Sequence, residues 1–112
     1  MKITQKLEEG IAVLRLEGTY VGRPDVSLFE ESVYQLLLHD NTKIVLDLEG
    51  LKMVDSAGLG AMISAMMSVQ RKGGGLCLAR VGGDVARVLR SMQLHRVFVV
   101  YDTVEDAVAG FR

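Results

Sequence analysis

The chain has 112 residues, of which 49% are hydrophobic and 24% charged, a composition typical of globular proteins with an apolar core. Its 13 basic and 14 acidic residues nearly balance, which argues against a nucleic-acid partner and against a polybasic membrane-binding segment. One cysteine and two histidines are too few for a zinc site, so neither a metal nor a cofactor is expected. The length predicts one domain over residues 1–112.

No targeting or membrane-inserted segment is predicted. The first residues lead directly into an alternating polar stretch, which differs from a signal peptide. The longest uncharged window, residues 56–70, is too short and too rich in glycine and serine to cross a bilayer. We therefore expect a cytoplasmic protein.

The N-terminal part of the sequence predicts a β-hairpin followed by a helix. Two strands over residues 2–8 and 11–17 flank a turn at Glu9–Gly10. A loop is predicted over residues 18–23, after which Pro24 suits the first turn of a helix. Apolar residues then recur at helical spacing for several turns.

The middle of the chain alternates between strands and helices. Residues 44–48 form a nearly continuous apolar run, which is typical of a central strand covered on both faces. A second helix is predicted to follow Ser56 and to run to about Lys72, and a strand over residues 76–81 comes after it. Asp84 is predicted to cap a third helix.

The C-terminal part completes the predicted fold. A last strand is predicted over residues 97–100, and Thr103 with Asp106 three residues later indicates a short final helix with a capping-box-like start. The alternation of strands and helices predicts an α/β fold with a mostly parallel sheet and about four helices. Because the strands of the opening hairpin must run antiparallel, the sheet is predicted to be mixed.

The start of the second helix is the most informative segment. Ser56 stands between a strand-like approach and this helix, at the predicted N-cap, where free backbone N–H groups and the helix dipole favour negative charge. A phosphate on Ser56 would be well tolerated there. Gly58 and Gly60 carry no side chains, so another protein's active site could approach the hydroxyl closely. A serine that only caps the helix and is never modified is the simpler alternative.

The outer face of the second helix is small and uncharged. A surface helix usually carries charged residues on its outer face, so this composition suits close docking of a partner protein. The same face could instead be buried against the sheet and another helix. Its residues are Ala57, Gly60, Ala61, Ser64, Ala65 and Ser68.

Several segments carry a family resemblance. Residues 53–60, Met-Val-Asp-Ser-Ala-Gly-Leu-Gly, resemble the phosphorylation-site signature of the STAS domain family, and within it of the single-domain bacterial anti-sigma-factor antagonists (anti-anti-sigma factors). Residues 44–51 are similar to the strand and turn that lead to that site, and residues 73–78 to the glycine break and strand that follow. The resemblance covers nearly all of residues 3–111 and implies a STAS-type fold.

The resemblance also implies a phosphorylation switch. Such a protein, while unphosphorylated, binds an anti-sigma factor that is itself a serine kinase, and the sigma factor is released to direct transcription. The kinase then phosphorylates a serine, here Ser56, and a PP2C-type phosphatase reverses the reaction. Asp55 would shape the site, and Ala57 replaces a second hydroxyl residue that many relatives carry. The phosphorylation motif is completed by Gly58, Leu59 and Gly60.

The resemblance is incomplete in the predicted loop before the first helix. Family members often have an acidic residue three positions after the glycine that ends the second strand, whereas this chain has Val21 three positions after Gly18. Because the loop is expected beside the phosphorylation site, this departure bears on how a kinase recognises the chain. The predicted partner contacts are Tyr20, Val21 and Arg23 of this loop and Gly60, Ala61, Ser64, Ala65 and Ser68 of the second helix.

The same residues bear on other possible functions. A STAS subunit that binds without phosphorylation, in a lipid-transport ABC complex or a stress-signalling scaffold, would share the fold and the helix face. A serine hydrolase is disfavoured because the Gly-x-Ser-x-Gly elbow is missing and His39 and His95 lie near predicted helix ends. Nucleotide binding is disfavoured because the three glycines at residues 73–75 follow a helix and precede a strand. This order is the reverse of that in a phosphate-binding loop. We therefore predict a binding protein and not an enzyme.

Overall fold

The computed structural model describes residues 1–112, which form six strands and four α-helices. None of the helices combines the length and the apolar character needed to span a membrane. The elements in chain order are β1 (Lys2–Glu8), β2 (Ile11–Tyr20), α1 (Gly22–Leu38), β3 (Lys43–Asp47), β4 (Leu51–Val54), α2 (Ser56–Arg71), β5 (Gly75–Ala79), α3 (Gly83–Ser91), a 3₁₀ turn (Leu94–Arg96), β6 (Val100–Tyr101) and α4 (Val104–Ala109).

The strands form one mixed sheet in the order β1-β2-β3-β5-β6, and β4 pairs with the C-terminal end of β2. The β1–β2 pair is antiparallel and every other pair is parallel, which confirms the predicted sheet. At the hairpin turn, Glu9 and Gly10 have φ of 53° and 78°, the left-handed conformation that a tight two-residue turn needs at both positions. Because β2 and β4 are parallel neighbours, they end at the same edge of the sheet, where α1 and α2 begin.

Both faces of the sheet are covered by helices. One face packs against α1, α2 and α3 in a cluster of 25 buried apolar residues, and the opposite face packs against α4 in a cluster of eight. Ile44, Val45 and Leu46 of β3 are completely buried, which confirms the predicted central strand. Cys77 lies in the smaller cluster, where burial raises the pKa of its thiol to about 11 and keeps it protonated at neutral pH.

Asp47, at the end of β3, is the one charged residue buried in the core, with 4% of its surface exposed. Arg80 donates to both of its oxygens, from Nε to Oδ1 at 3.0 Å and from Nη2 to Oδ2 at 2.6 Å, and Arg15 Nη1 lies 3.3 Å from Oδ2. Burial opposes ionisation of Asp47, but the hydrogen bonds from Arg80 and the Glu49 N–H and the charges of both arginines outweigh it. The pKa of Asp47 therefore lies below its usual value.

Three predicted strands have other bounds in the structure. The strand predicted over residues 76–81 ends at Ala79. The loop predicted over residues 18–23 begins later, because β4 pairs with residues 18–20 and extends β2 through them. The strand predicted over residues 97–100 shrinks to the short β6, because the Val97 and Phe98 N–H groups both donate to the Leu94 carbonyl in the preceding 3₁₀ turn. Those bonds hold the segment away from a full pairing with β5.

Of the three predicted helix caps, at Ser56, Asp84 and Thr103, only that of Thr103 is confirmed. Thr103 caps α4, since its Oγ1 accepts the Asp106 N–H at 3.0 Å. Asp84 does not cap α3, because the N-cap residue is Gly82 and no side chain bonds there. The Asp84 carboxylate instead accepts a hydrogen bond from Arg87 at 2.7 Å.

Candidate functional site

Asp55 joins the starts of α1 and α2. Its Oδ1 accepts the Gly58 N–H at 2.8 Å, which caps α2, and its Oδ2 accepts the Gly22 N–H at 2.9 Å, at the start of α1. The bonds from Gly58 and Gly22 hold the pKa of Asp55 below its usual value. The prediction that Ser56 is the N-cap is therefore wrong: Asp55 caps the helix, and Ser56 is its first residue.

Ser56 is exposed at the edge of the sheet where the two helices begin. The residues four positions before Ser56 and Ala57 belong to β4, so the N–H groups of these two residues have no acceptor inside α2. These free N–H groups and the dipole of α2 place partial positive charge beside the Ser56 hydroxyl. The position therefore favours an anionic group on that hydroxyl.

Gly58 is required for the packing of α2 against Tyr20 and Val54, and not for the access of another protein to Ser56. A Cβ at Gly58 would lie 2.7 Å from Cδ1 of Tyr20 and 2.9 Å from Cγ2 of Val54, closer than real Cβ contacts. Since Gly58 is itself buried, its predicted role of opening an approach to Ser56 is wrong. Gly60 is exposed and a Cβ there would meet no atom within 4 Å, so this second glycine does leave open space.

Tyr20 belongs to the core and not to the surface. Its side chain is completely buried, with its ring centroid 5.5 Å from that of Phe29 and its edge against Gly58. Its hydroxyl is buried without a hydrogen-bond partner, and desolvation raises its pKa. The predicted contact of Tyr20 with a partner is therefore wrong. Val21 and Arg23, which flank the start of α1, are exposed.

The small-residue face of α2 is divided between packing and exposure. Ala61 and Ala65 are each only 8% exposed and lie with Phe29 and Val33 of α1 along the groove between the two helices. Both alanines are therefore mostly buried against α1, as in the alternative weighed from the sequence, and their contact with a partner stays a prediction. Ser68 is half-buried. The exposed part of the face consists of Ala57, Gly60 and Ser64.

An open cleft of about 340 Å³, which we call the α1–α2 cleft, lies between the N-terminal halves of the two helices. It is lined by Arg23 and Glu30 of α1 and by Ala57 and Ser64 of α2, among others. Nη1 of Arg23 lies 3.9 Å from Oε1 of Glu30. The cleft therefore brings together four predicted site residues, which are Arg23, Ala57, Ala61 and Ser64. Glu30 was not predicted and has no local sequence signal, because only the packing of α1 on α2 places it there.

A serine hydrolase would need a general base beside the Ser56 hydroxyl. No group of three or more His, Cys, Asp or Glu side chains is placed to hold a metal ion. His39 follows the last residue of α1, about 25 Å from the end of this 17-residue helix that lies near Ser56. Both oxygens of the neighbouring Asp55 already accept backbone N–H groups. The Ser56 hydroxyl therefore has neither His39 nor a free Asp55 carboxylate beside it as a general base.

The fold and the motif around Ser56, residues 53–60, define a class of protein. The STAS domain matches residues 2–107, and the chain belongs to the STAS domain family. The family and the fold class predicted from the sequence are confirmed.

Two relatives and one solved structure show which members of the family this chain resembles. A protein of Thermotoga maritima that is provisionally named an anti-sigma factor antagonist is 31% identical over 86 residues, which are 76% of each chain. The anti-sigma F factor antagonist of Paenibacillus polymyxa is 24% identical over 108 residues, which are 96% of this chain and 92% of the relative. A crystal structure of a Thermotoga maritima protein with the same provisional name has a TM-score of 0.87 and 26% identity, and the match covers 98% of this chain and 94% of that chain.

Proposed function

We propose that this chain is an anti-sigma factor antagonist that acts by binding and not as an enzyme. While Ser56 is unmodified, the chain binds a cytoplasmic anti-sigma factor with serine kinase activity, and the sigma factor is released. Phosphorylation of Ser56 ends the binding, and a PP2C-type phosphatase restores it. The observation that carries this proposal is the exposed Ser56 hydroxyl at the first position of α2, with the small residues Ala57 and Gly60 beside it.

The relatives support the same function. Both curated relatives described above are named as antagonists of anti-sigma factors, and one of them matches nearly the whole of this chain. The antagonist activity is a binding activity, which agrees with a Ser56 whose neighbouring Asp55 carboxylate already accepts two backbone N–H groups.

The modification needs chemistry that the kinase supplies. The Ser56 oxygen attacks the γ-phosphorus of ATP in the kinase, a new P–O bond forms and the bond to ADP breaks. ADP leaves, and the hydroxyl proton passes to a base of the kinase. In the phosphatase, water replaces the serine oxygen on phosphorus, which releases inorganic phosphate and restores the hydroxyl. This chain contributes an accessible nucleophile at a position that tolerates the product's charge.

The charge of the phosphate accounts for the loss of binding. Phosphorylation adds about −1.5 to −2 charges to the centre of a small and mostly neutral surface. A tenfold loss of affinity requires only about 1.4 kcal/mol, and burial of an unpaired phosphate in an interface costs more than that. Because Asp55 and not Ser56 caps α2, the modification leaves the cap in place. The switch therefore needs no change of fold.

The proposal is tested by recovering partners of tagged variants from the bacterium that produces the protein. We compare Ser56→Ala, Ser56→Glu and, as a matched control on the exposed part of α3, Ser91→Glu. Ser56→Ala and Ser91→Glu are expected to retain one kinase-like anti-sigma factor, which Ser56→Glu loses.

Two outcomes would contradict the proposal. Equal recovery of the partner by Ser56→Glu would rule out exclusion by charge. A transporter ATPase or a scaffold protein as the partner, with Ser56 unmodified in the cell, would instead establish the non-phosphorylated binding subunit.

A further inference from the structure

Arg23 is a cation near the modification site, because the residue before it is hydrogen-bonded to the residue before Ser56. The Gly22 N–H donates to Asp55 at 2.9 Å, and Arg23 and Ser56 are the residues that follow this bonded pair. The side chain of Arg23 also lines the α1–α2 cleft together with Ala57, the residue after Ser56. An arginine side chain is long and flexible and offers five N–H donors to a phosphate.

The present partner of Arg23 holds it weakly. Its Nη1 lies 3.9 Å from Oε1 of Glu30, and the two side chains are 79% and 56% exposed. An exposed ion pair of this length contributes little stability, because water screens both charges. A phosphate dianion carries more charge than a carboxylate and accepts two parallel hydrogen bonds from a guanidinium group. Arg23 is therefore free to exchange its partner.

The other charged groups around the site already have nearby partners. Asp55 accepts the N–H groups that start both helices. Asp25 accepts the Val21 N–H at 2.9 Å and lies 3.3 Å from the α-amino group of Met1. These acidic groups repel a further negative charge, so a mobile cation near Ser56 would stabilise a phosphate there by offsetting that repulsion.

We propose that Arg23 is the counter-ion of phosphorylated Ser56: on phosphorylation its guanidinium group leaves Glu30 and pairs with the phosphate of the same chain. This inference rests on the proposed modification of Ser56. The exchange also leaves the Glu30 carboxylate unpaired in the α1–α2 cleft. Phosphorylation therefore changes the charge of the cleft as well as that of Ser56, and so extends the repulsion of a partner along α1.

The test uses the full chain with phosphoserine inserted at position 56 during translation, so it needs no kinase. The second pKa of the phosphate is measured by ³¹P NMR in the otherwise unchanged chain, in Arg23→Gln, and in Arg87→Gln. Arg87 is a matched control, since it is an exposed arginine on α3 that pairs with Asp84. We expect Arg23→Gln to raise the phosphate pKa by about half a unit and Arg87→Gln to leave it unchanged.

A second comparison tests the exchange itself. Glu30→Gln releases Arg23 and should lower the phosphate pKa, and this effect should shrink in the Arg23→Gln background, where no guanidinium group is present to be released. An unchanged phosphate pKa in Arg23→Gln, or an equal rise in Arg87→Gln, would overturn the proposal. Because the phosphate is introduced synthetically, a cell in which Ser56 is never phosphorylated would contradict the proposed function without altering the outcome of this titration.

Discussion

Asp55 accepts a hydrogen bond at 2.9 Å from the N–H of Gly22, a residue 33 positions earlier in the chain. The other oxygen of the same carboxylate caps α2 through Gly58 at 2.8 Å. One side chain therefore fixes the start of α1 against the start of α2, and the position of the exposed Ser56 beside Arg23 follows from that bond.

Removal of this carboxylate should loosen both helix starts. Asp55→Ala leaves the Gly58 and Gly22 N–H groups without their acceptors, and we expect the midpoint of thermal unfolding to fall by about 5 °C. Asp55→Asn, which keeps one amide oxygen as an acceptor, should fall by less. The control is Asp102→Ala, at an exposed position. A midpoint as high in Asp55→Ala as in the control would show that the bridge does not stabilise the protein.

The two glycines near Ser56 should respond to alanine in opposite directions. Gly58→Ala forces a Cβ against Tyr20 and Val54, and we expect a loss of about 1–3 kcal/mol in the free energy of unfolding. Gly60→Ala meets no atom within 4 Å and replaces a glycine within a helix, so it should gain up to about 1 kcal/mol. Urea denaturation of both variants measures the difference. Stabilisation by Gly58→Ala would contradict the packing described for Tyr20.

The buried carboxylate of Asp47 should make stability depend on acid pH. Its pKa in the folded protein lies below the unfolded value of about 3.9. The ionised group therefore contributes stability above roughly pH 4, and this contribution is lost as the pH falls through the folded pKa. Asp47→Asn should lower the unfolding free energy at pH 7 by about 1–2 kcal/mol, a value reduced by the partial exposure of both arginines.

Urea denaturation at a series of pH values checks this prediction. The curve of Asp47→Asn should be flatter below pH 4 than that of the unchanged chain, whereas Asp84→Asn, which removes an exposed pair on α3, should follow the unchanged chain. Parallel curves for Asp47→Asn and the unchanged chain would show that the cluster around Asp47 contributes no pH-dependent stability.

An arginine on the exposed part of the α2 face should leave the protein folded but should weaken its binding to the partner. Ser64 lies on the rim of the α1–α2 cleft, so Ser64→Arg fills space that a docked protein would use. We expect at least a roughly tenfold weaker affinity for the co-purified partner and an unchanged unfolding midpoint. Ser91→Arg on α3 serves as the control. Unchanged affinity in Ser64→Arg would place the docking surface elsewhere.

The sequence predicts those features that depend on neighbouring residues. Alternation and the Glu9–Gly10 turn predict the hairpin, and the spacing of Thr103 and Asp106 predicts the cap of α4. The start of α2 beside Asp55 and Ser56 is likewise a local property. Each of these depends on backbone geometry over a few residues, so no knowledge of tertiary packing is needed.

The features that sequence reasoning missed depend on contacts between distant segments. Tyr20 looks like a loop residue until β4 pairs with the end of β2 and buries its ring against Gly58. Ala61 and Ala65 fit an exposed face or a buried one, and only the packing of α1 decides between the two. Asp55 and Ser56 are both good capping residues, so the sequence does not say which of them caps α2. The bond from the Gly58 N–H assigns the cap to Asp55.

The central claim, that phosphorylation of Ser56 controls partner binding, is tested most directly by intact-protein mass spectrometry of the native protein. Partner-bound and free pools are separated from the same cells, and the phosphate content of each pool is measured and assigned to a residue by fragmentation. If the claim is correct, Ser56 is unmodified in the bound pool, and the free pool carries one phosphate, on Ser56. An equal distribution of that phosphate between the two pools would contradict it.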